Sequence, residues 1–125
     1  MREIKVEFYE KNKIKGNLNC EVAQTFTEKT KGLMFREKLS EKRGMFFSFT
    51  LPWTRTFWMK NVKIPLDIIF VNRKKKIIRI YEAPVEKKVL YKLYWSAGFC
   101  KYVIETNKGF CSKNKIKNSD KIRII

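Results

Sequence analysis

Asp67-Ile68-Ile69-Phe70-Val71-Asn72-Arg73-Lys74-Lys75-Lys76-Ile77-Ile78-Arg79-Ile80-Tyr81 is the stretch that decides the fold. Two runs rich in β-branched and aromatic residues flank a short polar segment, the pattern of an antiparallel hairpin. Four consecutive bases, Arg73, Lys74, Lys75 and Lys76, stand at its tip, where like charges are solvated. They are the candidates for any nucleic-acid contact.

Working back from the hairpin, Thr56 to Val71 encloses a lone carboxylate, since Asp67 is the only acid between Glu41 and Glu82. A charge among apolar neighbours needs a partner or a ligand. The expected partners of Asp67 are Lys60, Arg36 or the N–H groups of the loop from Asn61 to Pro65. Period-two alternation puts Asp67 on one strand face with Ile69 and Val71, and Trp58 on one face with Lys60. The structural reading ties a loop to the carboxylate. The functional reading makes Asp67 a general base or the anchor of a ligand.

Further out, Ile4, Val6 and Phe8 alternate with charged residues, Asn12 to Gly16 reads as a turn, and Leu18, Cys20 and Val22 alternate again. A hairpin therefore opens the domain. Thr27 to Lys31 reads as a short helix with Thr27 as N-cap, followed by Leu33, Met34 and Phe35 as a plug for the core. Strands are expected from Gly44 to Phe49, ended by Pro52, then at Phe57 to Met59, Tyr102 to Thr106 and Ile122 to Ile125, with a loop from Pro84 to Tyr94 and a single helical turn at Phe110 to Lys113. The sum is one domain over residues 1–125, mainly β and tending to α+β: a curled antiparallel or barrel-like sheet with one short helix.

Arg36 follows the apolar plug, and Glu105 shares a strand face with Val103. Each needs an opposite charge, and the expectation is that they pair across the fold. Most aromatics of a chain this size are core, a reading applied to Trp53, Trp58, Trp95, Tyr91 and Tyr94. The alternative is a pocket or stacking surface.

With 29 bases, 12 acids and no histidine, the formal charge is +17. A basic surplus suits phosphate-rich partners. However, the 22 lysines against 7 arginines fit a general lysine bias, and no nucleic-acid module accompanies the charge. Cys20, Cys100 and Cys111 form no Cys-x-x-Cys pair, and without histidine no zinc site or Cys-His dyad is available. Buried thiols are expected, against the alternative of a disulfide between Cys100 and Cys111. No run reaches the length of a membrane span, and the N-terminus enters a strand pattern at once, leaving no room for a leader. A cytoplasmic protein with no cofactor and no metal is the expectation.

Gly32-Leu33-Met34-Phe35-Arg36, Gly44-Met45-Phe46-Phe47, Phe57-Trp58-Met59-Lys60-Asn61, Ile64 to Phe70, Val103-Ile104-Glu105 and Gly109-Phe110 occur in order. Over roughly residues 19–125 this series resembles the bacterial and archaeal family known as domain of unknown function 192. The resemblance implies a compact, mainly β domain with no established activity or cofactor. The chain departs from the family pattern at the hairpin tip, where an Asp-Gly turn is usual, and at Cys100 and Cys111. The leading functional expectation is a small-ligand-binding or accessory domain, with Arg36, Trp58, Lys60, Asn61, Asp67 and Glu105 as site candidates. The alternatives are an enzyme using Asp67 as base and Lys60 as electrostatic stabiliser, and a binder of nucleic acid or anionic surfaces.

Overall fold

Leu66–Val71, here β5, is buried at every position, so its two faces must both be covered. The computed structural model, which describes residues 1–87 and 90–125, meets that demand with a seven-stranded sheet. In chain order its strands are β1 (Glu3–Glu10), β2 (Lys13–Ala23), β3 (Arg43–Trp53), β5, β6 (Ile77–Ala83), β8 (Cys100–Asn107) and β9 (Lys121–Ile124). Their spatial order is β6-β5-β8-β3-β2-β1-β9. A separate ribbon pairs β4 (Thr56–Phe57) with β7 (Tyr94–Trp95). The two helices are α1 (Phe26–Lys31) and α2 (Phe110–Lys113).

The domain is single, compact and mainly β, as the alternation implies. The sheet is mixed, because β2 and β3 run parallel across the connection that carries α1. It is not closed into a barrel. Its edges β6 and β9 meet only at their starts, through the Lys76–Lys121 bridge and short backbone bonds such as Ile77 N–H to the Asp120 carbonyl at 2.8 Å. Among the described residues no helix is long and apolar enough to cross a membrane.

Alternation along β3, β5 and β8 sorts the core into two clusters. Met45, Phe47, Leu66, Ile68, Phe70 and Val103 face one way, with Leu33, Met59 and Tyr94 over them. Phe46, Ile69, Val71 and Ile104 face the other way, covered by Val6, Phe8, Leu18, Cys111 and Ile122. Gly44 allows β3 and β8 to approach, since a Cβ there would lie 2.7 Å from the Glu105 carbonyl oxygen. At the far edge Lys15 reaches Asp120 at 2.7 Å and Glu10 at 3.1 Å, joining β9 to the first hairpin. Burial would raise the Asp120 carboxyl, but Lys15 and Lys117 hold it below the usual range.

Several local expectations need correction. The helix begins earlier than expected: Thr25 is the N-cap, its Oγ1 accepting from Glu28 N–H at 3.1 Å while the Glu28 carboxylate accepts from Thr25 N–H at 3.0 Å. The first turn is tighter than Asn12 to Gly16, because Lys11 takes a left-handed φ of 54° and Lys13 already pairs with Glu10. Pro52 lies within β3 rather than after it, and β4 ends at Phe57 rather than Met59. The loop expected at Pro84 to Tyr94 gives way to β7 at its last residue, while 88 and 89 lie outside the described residues. Phe35 is exposed and only Leu33 is fully buried, since a φ of 67° at Phe35 turns the chain outward. The tryptophans are not core: Trp53, Trp58 and Trp95 are all exposed, and Tyr94 alone of the named group is shown buried. All three cysteines are free and buried. Burial raises Cys20 to about 12 and Cys100 to about 11, so both are inert thiols.

Asp67 is fully buried on the face of Ile69 and Val71, and it binds neither Lys60 nor Arg36. Its carboxylate accepts from Gly109 N–H at 3.2 Å and Cys111 N–H at 2.9 Å. A carboxylate tying backbone N–H groups is thus the right kind of partner, but the backbone is the start of α2 instead of the Asn61 to Pro65 loop. Register explains the change, since Asp67 pairs with Thr106 and the chain leaving β8 turns at Gly109 directly beneath it. Replacing Asp67 by Ala orphans two buried donors, and chemical denaturation should show a loss of about 1–3 kcal/mol. Asp67→Asn, which keeps one acceptor, should lose less.

Candidate functional site

Glu105 lies on the opposite sheet face from Asp67, between its cross-strand neighbours Met45 and Ile68. Only 4% of it is exposed, and among the described residues its carboxyl has neither a hydrogen bond nor an ion pair. Burial pushes its pKa from 4.5 up to about 8. An acid that is kept largely neutral near pH 7 offers an O–H donor in an apolar wall.

That wall belongs to a cavity of about 490 Å³ that opens to solvent. Phe47 and Glu105 form its sheet side, Phe57 and Val62 one flank, and Gly32, Leu33 and Met34 the other. The capping box fixes the start of α1, and Gly32 ends it with φ 50°, its N–H donating to the Glu28 carbonyl at 2.9 Å. A side chain at Gly32 would meet Phe47 at 3.3 Å and Glu105 Oε1 at 3.6 Å. The glycine therefore serves both the reversal and the space over the acid.

At the mouth, Lys29 and Arg55 flank the Phe49 ring, with Nζ 4.4 Å and the guanidinium carbon 4.0 Å from its centroid. Arg55 is fixed by reciprocal bonds with Ser96: its N–H donates to Ser96 Oγ and its carbonyl accepts from Ser96 N–H, both at 2.9 Å. Its guanidinium donates to the Leu51 carbonyl, while Nε is buried without an acceptor among the described residues. Burial, and then the charge of Arg55, lower the Lys29 pKa. Neither cation has a carboxylate partner among the described residues.

Of the six expected ligand residues, Trp58 and Glu105 line this cavity. Arg36 does not pair with Glu105. It forks onto Glu21 at 2.5 and 3.2 Å, because the outward turn at Phe35 carries it to the surface beside β2. Asn61 takes a left-handed φ of 60° and its carbonyl accepts from Phe35 N–H at 2.8 Å, which assigns it to the turn. Lys60 is exposed with Nζ 5.3 Å from the Trp58 ring. Asp67 lies buried on the other face, its oxygens accepting from the Gly109 and Cys111 N–H groups. The bases Arg73, Lys74 and Lys76 are exposed at the hairpin tip, with Lys75 half-buried. Asn72 Oδ1 shapes that tip by accepting from Lys74 and Lys76 N–H at 2.9 and 3.0 Å. Among the described residues no cluster of three or more His, Cys, Asp or Glu could hold a metal ion. Lys29, Arg55, Gly32 and Phe47 escaped sequence reasoning; the signal available was a glycine closing a capped helix, and it says nothing of what lies across the fold.

A second depression of about 730 Å³ lies beside α2, against Gly16, Thr106 and Phe110. Of its four lysines, Lys15 and Lys113 are paired, with Asp120 and Glu41 respectively, while Lys42 and Lys108 have no carboxylate partner among the described residues.

The chain belongs to the family DUF192, described as Uncharacterized ACR, whose model matches residues 8–124. No curated protein matches it. Among solved structures it is similar to a putative transcription regulator from Sinorhizobium meliloti 1021, with 25% identity and a TM-score of 0.90 over 98% of this chain and 94% of that one. It is also similar to a protein of unknown function from Novosphingobium aromaticivorans, with 34% identity and a TM-score of 0.85 over 97% of this chain and 84% of that one.

The native state holds the Glu105 proton where the unfolded chain has lost it. Stability should therefore fall as pH rises from 4.5 through about 8, by as much as ~5 kcal/mol in all. Glu105→Gln should remove that slope and raise stability above pH 7, as read from denaturation midpoints across pH.

Proposed function

We propose that this member of the uncharacterised family is a binding protein for a small, largely apolar ligand held in the cavity over Glu105. The observation that carries the reading is the unpartnered Glu105 carboxyl. With no partner of its own among the described residues, the carboxyl in the wall of this open, mainly apolar cavity is left available to a ligand. A ligand polar group would complete its hydrogen bond, while Leu33, Met34, Phe47 and Phe57 would take up the apolar body. Trp58 stands at the entrance with Tyr91 edge-on at 6.0 Å, an aromatic lip that adds contact area.

A second reading, contact with nucleic acid or another polyanion, is supported by the exposed bases at the hairpin tip and by the likeness to the Sinorhizobium putative transcription regulator. Electrostatic binding of that kind weakens steeply with salt. Reversing Arg73, Lys74, Lys75 and Lys76 should abolish any such binding, and a salt-independent affinity would eliminate it.

The ligand reading is tested by thermal shift against a panel of small apolar compounds bearing one polar group. A ligand at a hundredfold its Kd stabilises by ~2.7 kcal/mol, which raises Tm by several degrees. Met34→Trp, which pushes a larger side chain into the cavity lining, should reduce the shift.

A further inference from the structure

We infer that the ligand of this cavity is an anionic amphiphile, with its carboxylate, phosphate or sulfonate at the mouth between Lys29 and Arg55 and its neutral end at Glu105. The inference rests on the reading of the cavity as a ligand site and adds the ligand's charge and direction.

Two cations share the Phe49 ring, at 4.4 and 4.0 Å, with no carboxylate to separate them. Their mutual repulsion is felt at Lys29, where Arg55 acts with burial to weaken the ammonium. Arg55 Nε is closed off from solvent and has no acceptor among the described residues, and reciprocal bonds with Ser96 hold the residue in place. An anion seated there would offset the repulsion between the two cations. On the frame around it several bases are answered by acids: Arg36 has Glu21, Arg43 has Glu3, and Lys15 has Asp120. The mouth of the cavity is a place where the fold brings two bases together and leaves them unanswered.

The inner end has the opposite character. Among the described residues Glu105 has no ion-pair partner, and it sits among Met45, Ile68 and Phe47. An anion at that depth would face a carboxyl group in an apolar wall, which fixes the ligand's direction: charge outward, neutral polar group inward. A ligand ammonium would have to pass Lys29 and Arg55, against the field of a chain of net charge +17. The apolar middle, with about 490 Å³ available, suits a body the size of a fused aromatic pair or a medium acyl chain.

Anilinonaphthalene sulfonate and its sulfonate-free parent, phenylnaphthylamine, form a matched pair of probes for titration calorimetry. The wild-type chain should bind the sulfonate at least tenfold more tightly than the parent. Lys29→Met combined with Arg55→Met should remove that preference, read as the ratio of the two affinities, and Lys29→Met alone should cut the ratio at least threefold if the double variant does not fold. Glu105→Gln should keep the preference. Equal affinity of the two probes for the wild type, a preference that survives the mouth substitutions, or a preference lost in Glu105→Gln would each overturn the inference. Failure of both probes to bind, or undiminished binding of both to Met34→Trp, would instead overturn the ligand reading beneath it.

Discussion

The pairing of β5 with β8 is the constraint from which the rest of this structure follows. Both strands are buried on both faces, and their register sets Asp67 opposite Thr106 and Ile68 opposite Glu105. Side chains alternate along a strand, so two acids one position apart across this ladder point in opposite directions. One sheet thus contains two buried carboxyl groups, and each has to be dealt with by whatever covers its own side.

The two sides solve the problem differently. Over Asp67, the turn at Gly109 and the start of α2 present two N–H groups, and the carboxylate closes that end of the core. Burial raises its pKa, while the N–H bonds of Cys111 and Gly109 act against that rise. Over Glu105, the covering segment is the chain leaving α1, and the reversal at Gly32 holds it off the sheet. What results is space instead of a hydrogen bond. An acid without a donor in a low-dielectric wall stays protonated, and the same gap that leaves it unsatisfied admits a ligand.

The charge distribution obeys the same logic. The acids are engaged in pinning the frame: Glu3 with Arg43 on the sheet, Glu21 with Arg36 beside it, and Glu10 and Asp120 with Lys15 and Lys117 at the far edge. The remaining bases are mostly solvated and need no partner, since an exposed ammonium is well hydrated and exposed ion pairs contribute little. Lys29 and Arg55 differ because packing on Phe49 withdraws them partly from water while the frame leaves no acid for them. A large excess of positive charge is therefore informative only where burial removes its solvent, which is why the composition alone could not separate a lysine bias from a binding function.

Residue order alone was enough to place most of the strands and the partition of their faces. Alternation at Ile4 to Phe8, the hairpin from Asp67 to Tyr81, and the placement of Glu105 with Val103 and of Asp67 with Ile69 are all local properties of a period-two backbone, and all hold in the fold. The ordered motifs also marked the family. The partners were not legible, because a partner is set by which segment arrives from elsewhere in the chain. Arg36 was expected to reach Glu105, but the left-handed turn at Phe35 delivers it to Glu21; Asp67 was expected to hold the loop just before it, but the ladder delivers residues 109–111 instead. Trp58 and Glu105 were found as isolated residues, whereas Gly32, Lys29 and Arg55 became a site with them only when α1 was laid across the sheet. Local periodicity fixes which way a side chain points, and only the tertiary arrangement decides what it meets there.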